Sequence, residues 1–155
     1  MRLANGNTSL RCEFCSTMVP FAPDETGMQI LDETPELECP SCDTSLWSAV
    51  LTGVPIHACK RCHGMLVAMG ALQALIDEMR EKHPDRETPA PANRADLDRR
   101  INCPRCRNRM NSDFYAGGGN AVISGCEHCE VNWLEDAALM RIVRAPKANR
   151  VEAPW

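Results

Sequence analysis

The sequence predicts a small α+β protein organised by metal ions rather than by a broad apolar core, with one unit built twice. Three observations predict it. All ten cysteines stand in Cys-x-x-Cys pairs: Cys12/Cys15, Cys39/Cys42, Cys59/Cys62, Cys103/Cys106 and Cys126/Cys129. Only 5% of the 155 residues are aromatic, and units below about 40 residues need metals, disulfides or partners to fold. Finally, "IHACKRCHGMLVAMGAL" (residues 56–72) and "ISGCEHCEVNWLEDAAL" (residues 123–139) both read Ile, two residues, Cys-x-x-Cys, then an apolar run leading into a helical pattern.

The repeat extends further when Cys39 is placed on Cys103 and Cys42 on Cys106. "CPSCDTSL" then lies on "CPRCRNRM", with Pro40 on Pro104 and Leu46 on Met110. Beyond the second pair of each copy, Ile56 falls on Ile123, Leu66 on Trp133 and Leu72 on Leu139. The pairs are 16 residues apart in the first copy and 19 in the second, and the extra three fit the glycine-rich "YAGGGN" (residues 115–120) as a hairpin tip. Self-similarity of this kind marks an internal duplication.

Both copies carry the spacing of a four-cysteine zinc site. Two residues between cysteines let a tight turn aim both sulfurs at one ion about 2.3 Å away, and a hairpin brings two such turns together. The expected ligands are Cys39, Cys42, Cys59 and Cys62 for one zinc and Cys103, Cys106, Cys126 and Cys129 for the other, two zinc ions per chain. Four thiolates suit iron as well. Binding of this kind contributes about 10–16 kcal/mol, more than so small a core supplies. The N-terminal "MRLANGNTSL" has no apolar signal-peptide region, and no apolar run is long enough to span a membrane. The expectation is a cytoplasmic protein in a reducing compartment, where paired cysteines read as metal ligands before disulfides.

After Cys62, Leu72, Leu75, Ile76 and Met79 recur at helical spacing up to Pro84. After Cys129, Leu139, Ile142 and Val143 make the same stripe up to Pro146, with Glu135 and Asp136 near the start and Arg141 and Arg144 near the end. Each helix is expected to cover its zinc hairpin. Residues 84–100, rich in proline and charge, read as a linker in which "NRADLDRR" forms one or two turns capped by Asn93. The organisation is an N-terminal Cys-x-x-Cys segment (1–36), a first unit (37–83), the linker (84–100), a second unit (101–146) and a tail (147–155).

These motifs resemble the bacterial transcription factor IIB-type zinc-ribbon family, in two tandem copies. The second copy is the nearer match, with "CPRC", "CEHC" and "WLEDAAL" (residues 133–139). The first keeps "CPSC", "GVPIHACKRCHGM" and the helix, but has Leu66 where the family usually has Trp and lacks the acidic residue beside it. The resemblance covers residues 37–82 and 101–145. It implies two tandem ribbons, each a β-hairpin with zinc knuckles followed by a helix. It says little about activity, since fold does not fix function.

Cys12 and Cys15 have no counterpart in the repeat. They can join Cys39/Cys42 in a different ribbon, with "MQIL" as its return strand, meet the same pair of a second chain in a homodimer, or act as free thiols or a redox disulfide. His57, His63, His83 and His128 are further ligand candidates for a third site.

No nucleophilic triad, phosphate loop or dinucleotide fingerprint is present, so the expected work is non-enzymatic, with no catalytic residues. The formal charge is −4, unevenly spread: residues 1–93 hold 7 Lys/Arg and 13 Asp/Glu, residues 94–155 hold 10 and 8. Arg94, Arg99, Arg100, Arg105, Arg107 and Arg109, with Arg141, Arg144, Lys147 and Arg150, make the C-terminal half the better candidate for nucleic acid. Phe114, Tyr115, Trp133 and Trp155 are the aromatics available to stack on bases, although Trp133 also reads as core packing under the knuckle. The expectation is a zinc-binding adaptor or regulator of a protein or nucleic-acid partner, with a transcription-related setting implied by the resemblance. The competing expectation is a redox or zinc-responsive switch built on Cys12/Cys15.

Overall fold

The computed structural model describes residues 27–87, 93–115 and 121–146, and the backbone of three short strands nearer the N-terminus. Those strands, β1 (Arg2–Leu3), β2 (Ser9–Arg11) and β3 (Met18–Pro20), form one antiparallel sheet in the order β1-β2-β3. Cys12, Cys15, the hairpin tip at 116–120 and the tail with Lys147, Arg150 and Trp155 lie outside the described residues.

The repeat region is a single antiparallel sheet. Its strands are β4 (Met28–Glu38), β5 (Ser45–Leu51), β6 (Val54–Ala58), β7 (Met65–Ala68), β8 (Asn111–Phe114), β9 (Val122–Cys126) and β10 (Val131–Leu134), ordered β4-β5-β6-β7-β10-β9-β8. The first copy supplies β5, β6 and β7 and the second β8, β9 and β10. They meet through β7 and β10, paired over Ala68↔Val131, Val67↔Asn132, Leu66↔Trp133 and Met65↔Leu134. Leu66 and Trp133 occupy the same position of the two copies and are each other's partner. A pseudo-twofold axis therefore passes through that pair, which is the arrangement of an isologous dimer drawn within one chain.

The sheet separates two cores, as alternation along its strands requires. Met65 and Val67 of β7 and Leu134 of β10 join one cluster, whereas Leu66, Val131 and Trp133 join the other. The first cluster is roofed by α1 (Met69–Lys82) and α2 (Ala138–Arg144). Their buried residues are Leu72, Leu75, Ile76 and Met79 on α1 and Ala138, Leu139, Ile142 and Val143 on α2, the stripes that period 3.6 marks out. The second cluster holds the knuckle cysteines with Leu37, Leu46, Ile101 and Met110. Among the described residues, no helix is long and apolar enough to cross a membrane.

The helices reach across the axis. The first backbone N–H of α1, on Met69, donates to the carbonyl of Glu130 in the second copy at 2.9 Å, and the Tyr115 hydroxyl donates to Gln73 Oε1 at 3.4 Å. At the other end of α1, Arg80 Nη2 donates to the Ile142 and Ala145 carbonyls at 3.1 and 3.4 Å. It thereby satisfies the acceptors that α2 leaves open at its C-terminus. Between the copies, residues Arg94–Asp98 form a 3₁₀ helix whose cap, Asn93, accepts from the Ala95 N–H at 3.0 Å.

The register explains why one copy has Trp and the other Leu at the axis. Gly64 is the first-copy counterpart of Val131, and a Cβ at Gly64 would run into the six-membered ring of Trp133. The large side chain of one copy is set against the missing side chain of the other. Leu66→Trp, although it matches the more usual family residue, places a second indole at the axis and is expected to cost about 1–3 kcal/mol by overpacking. Chemical denaturation in the presence of zinc checks this; an unchanged midpoint contradicts it.

Candidate metal centres

Each centre is built from two six-residue knuckles. The Cys39 N–H donates to the Thr44 carbonyl at 2.7 Å and the Asp43 N–H donates back to the Cys39 carbonyl at 3.0 Å. The same pair of bonds joins Cys59 with Gly64 and His63, and Cys103 with Asn108 and Arg107. The residue after the second cysteine of every knuckle has a left-handed backbone: Asp43 at φ 56°, His63 at 61°, Arg107 at 66° and Glu130 at 55°. L-residues enter that region at a cost, so closure of the knuckle around an ion holds the strain in place.

The knuckles bring together Cys39, Cys42, Cys59 and Cys62 in one group and Cys103, Cys106, Cys126 and Cys129 in another, the sulfurs of each group all within 4.8 Å of one another. Within them, Cys39 and Cys62 Sγ are 3.5 Å apart and Cys106 and Cys126 Sγ 3.6 Å. A tetrahedron with zinc–sulfur bonds of about 2.3 Å has edges of about 3.8 Å, so the two groups suit two zinc ions per chain. In both groups the first cysteine of each knuckle is buried and the second is half-buried. Among the described residues these are the two groups of at least three His, Cys, Asp or Glu able to hold a metal, and neither includes His57, His63, His83 or His128. Cys39/Cys42 lie with Cys59/Cys62 in one group; Cys12 and Cys15 lie outside the described residues.

Four thiolates outweigh one dication, and donors around them offset the excess. Cys59 Sγ accepts from the backbone N–H of Arg61 and of Cys62 at 3.4 and 3.5 Å, and Thr44 Oγ1 lies 3.6 Å away. Burial alone would raise the Cys59 thiol, but these donors and the Cys39 thiol bring it down to about 6. Burial pushes Cys62 up to about 11 and Cys39 well above the ordinary thiol range. The second centre repeats the pattern. The Asn108 N–H lowers Cys106, while burial raises Cys103 and pushes Cys129 up to about 12. In the first centre Cys59 is held low, in the second Cys106 is lowered, and each centre has two thiols held above their ordinary range.

Several arginines of the basic run are engaged elsewhere. Arg107 pairs with Glu38 at 2.9 Å, Arg99 with Glu135 at 3.0 Å and Arg144 with Glu87 at 3.0 Å. Of the stacking candidates, Trp133 is 1% exposed and Phe114 41%. Sequence reasoning left out Trp47, whose ring carries Lys60 Nζ 3.4 Å from its centroid. It also left out an apolar groove of about 620 Å³ on the helix side. Met28, Ile30, Leu51 and Met65 from β4, β5 and β7 face Leu139 and Met140 of α2 there.

With that geometry in place, residues 38–78 match the transcription factor IIB-type zinc-ribbon family, described as a transcription factor zinc-finger. The match spans the first centre and α1 as far as Glu78. No curated protein and no solved structure matches the chain. The second ribbon rests on its own four-cysteine group and on its pairing with the first.

Two outcomes follow from the centres. Because each holds at least two protonated thiols, zinc uptake is expected to release at least about two protons per site. Affinity then falls by about a hundredfold or more per pH unit on acidification below the raised thiol values. Calorimetry in buffers of different ionisation enthalpy reads the proton count, and a count near zero contradicts it. At His63, a β-branched residue cannot adopt the left-handed backbone at low cost, whereas glycine can. His63→Ile is expected to lower stability by about 1–2 kcal/mol and His63→Gly to leave it unchanged or higher, as read by thermal denaturation of the zinc-loaded protein.

Proposed function

We propose that this chain is a non-enzymatic adaptor or regulator in which the cysteines of each group hold a structural zinc and the sheet they organise is presented to a protein partner. The observation that carries this reading is the closed coordination. Four thiolates from the chain would fill each tetrahedron around a bound zinc and would leave no position for a metal-bound water or substrate, the requirement of a catalytic zinc. The zinc, when bound, supplies the cross-link between two knuckles; the binding surface is made by the chain's own residues.

Protein is favoured over nucleic acid as the partner for two reasons. Arg99, Arg107 and Arg144 each pair with a carboxylate of the chain at the surface, which offsets three cations of the face the sequence suggested. The helix-side groove is lined by apolar side chains, four of them methionines, with Glu135 and Asp136 beside Lys60, His63 and Arg144. Methionine adapts its shape to apolar side chains of a partner. The carboxylates repel a polyphosphate and accept a polypeptide of mixed charge. A transcription-related setting is supported by the family match over residues 38–78.

The test places a photo-crosslinking amino acid at Met140, in the groove, or at Arg109, on the exposed basic run, in the cells that make the protein. The expected result is one nuclease-resistant, protease-sensitive adduct from position 140 that is lost in Ile30→Asp. A nuclease-sensitive adduct, an equal yield from position 109, or no adduct at 140 would overturn the reading.

A further inference from the structure

We propose that the two zinc sites are thermodynamically coupled, so that the chain fills both or neither, and that the Trp133 ring against Gly64 is the central contact of that coupling.

All four knuckles are tied to the opposite ribbon at or beside their ligands. In the first ribbon, Glu38, which precedes Cys39, pairs with Arg107, which follows Cys106, at 2.9 Å. Ser41, between Cys39 and Cys42, donates to Glu135 Oε1 at 3.3 Å. The turn that holds Cys59 and Cys62 is closed by the bond from the Cys59 N–H to the Gly64 carbonyl, and it is on Gly64 that the Trp133 ring of the second ribbon rests. In return, Glu130, which follows Cys129, accepts the Met69 N–H that starts α1 of the first ribbon.

These ties converge on one cluster. Cys39 and Cys59 of the first centre, Cys103 and Cys126 of the second, and Leu66 and Trp133 on the axis are buried together, none more than 6% exposed. A knuckle without its ion loses the force that keeps its left-handed residue in place, and the contact it gives the other ribbon goes with it. Binding at one site restores part of the surface on which the other forms. By linkage the effect is reciprocal, with couplings of this kind amounting to roughly 5–150-fold in affinity. The contact itself is asymmetric: the second ribbon supplies the indole, and the first supplies the knuckle it presses on.

The experiment is a zinc titration of the reduced, metal-free full chain followed by native mass spectrometry. Independent equal sites give about half of the chains one zinc at one equivalent, and unequal independent sites give more. The expected result is a one-zinc species well below half, with metal-free and two-zinc chains dominating. A one-zinc species at half or above would overturn the coupling. A second arm uses Cys126→Ser with chelator competition at the first site. The expected loss is about tenfold or more in zinc affinity, and affinity within about twofold of the parent would overturn it. The contact itself is tested with Trp133→Phe. The expected result is an increased one-zinc species while the far-UV spectrum at saturating zinc is unchanged. Cooperativity that persists in both Trp133→Phe and Gly64→Ala would overturn the assignment to that contact.

Discussion

The structure depends on the antiparallel pairing of β7 with β10. Without it, each ribbon would present an apolar edge strand, Met65–Ala68 or Val131–Leu134, to water, with unpaired backbone groups that invite association. With it, the edges are joined, the sheet runs continuously through both copies, and the residues at the seam alternate between two cores. The pairing is centred on equivalent residues, so the seam is built like a homodimer interface. Being within one chain, it is free to differ between its halves, and Leu66 with Val131 against Trp133 with Gly64 is that difference.

The metal centres make such a seam affordable in a chain with so few aromatics. Each knuckle holds a non-glycine residue in the left-handed region and buries a thiol away from water. Both costs are offset only when an ion is present, since zinc binding contributes about 10–16 kcal/mol per site. Backbone donors to the sulfurs lower one thiol in each centre, Cys59 in the first and Cys106 in the second. The helix side follows from the same symmetry. α1 starts directly after β7, and three residues separate β10 from α2; both helices reach over the other ribbon, so the roof as well as the sheet is shared between the copies.

Local chemistry was legible in the sequence. The Cys-x-x-Cys spacing located both metal centres, and the stripes of Leu72, Leu75, Ile76 and Met79 and of Leu139, Ile142 and Val143 located the helices. Asn93 marked the cap of the short turn between the copies. The seam was not legible. Short apolar runs buried on both faces have no period to detect, so Met65–Ala68 and Val131–Leu134 read as lead-ins to helices. The reason for Leu66 was not legible either, because it is a facing Trp from the other copy that lies across the sheet. The basic run of the C-terminal half read as an open face for the same reason, since the partners of Arg99, Arg107 and Arg144 are distant in sequence. Cys12 and Cys15 lie outside the described residues, and their three alternatives stand as the sequence left them.

The most direct test of the account is the seam itself, read by nuclear Overhauser contacts in the zinc-loaded protein. A paired seam gives backbone proton contacts between Leu66 and Trp133, flanked by Met65 with Leu134 and Val67 with Asn132, together with slow amide exchange along both strands. Rapid exchange along Met65–Ala68 with no contact to Val131–Leu134 would mean that the ribbons stand apart. The shared sheet, the fit at the axis and the coupling of the two centres would then all be wrong.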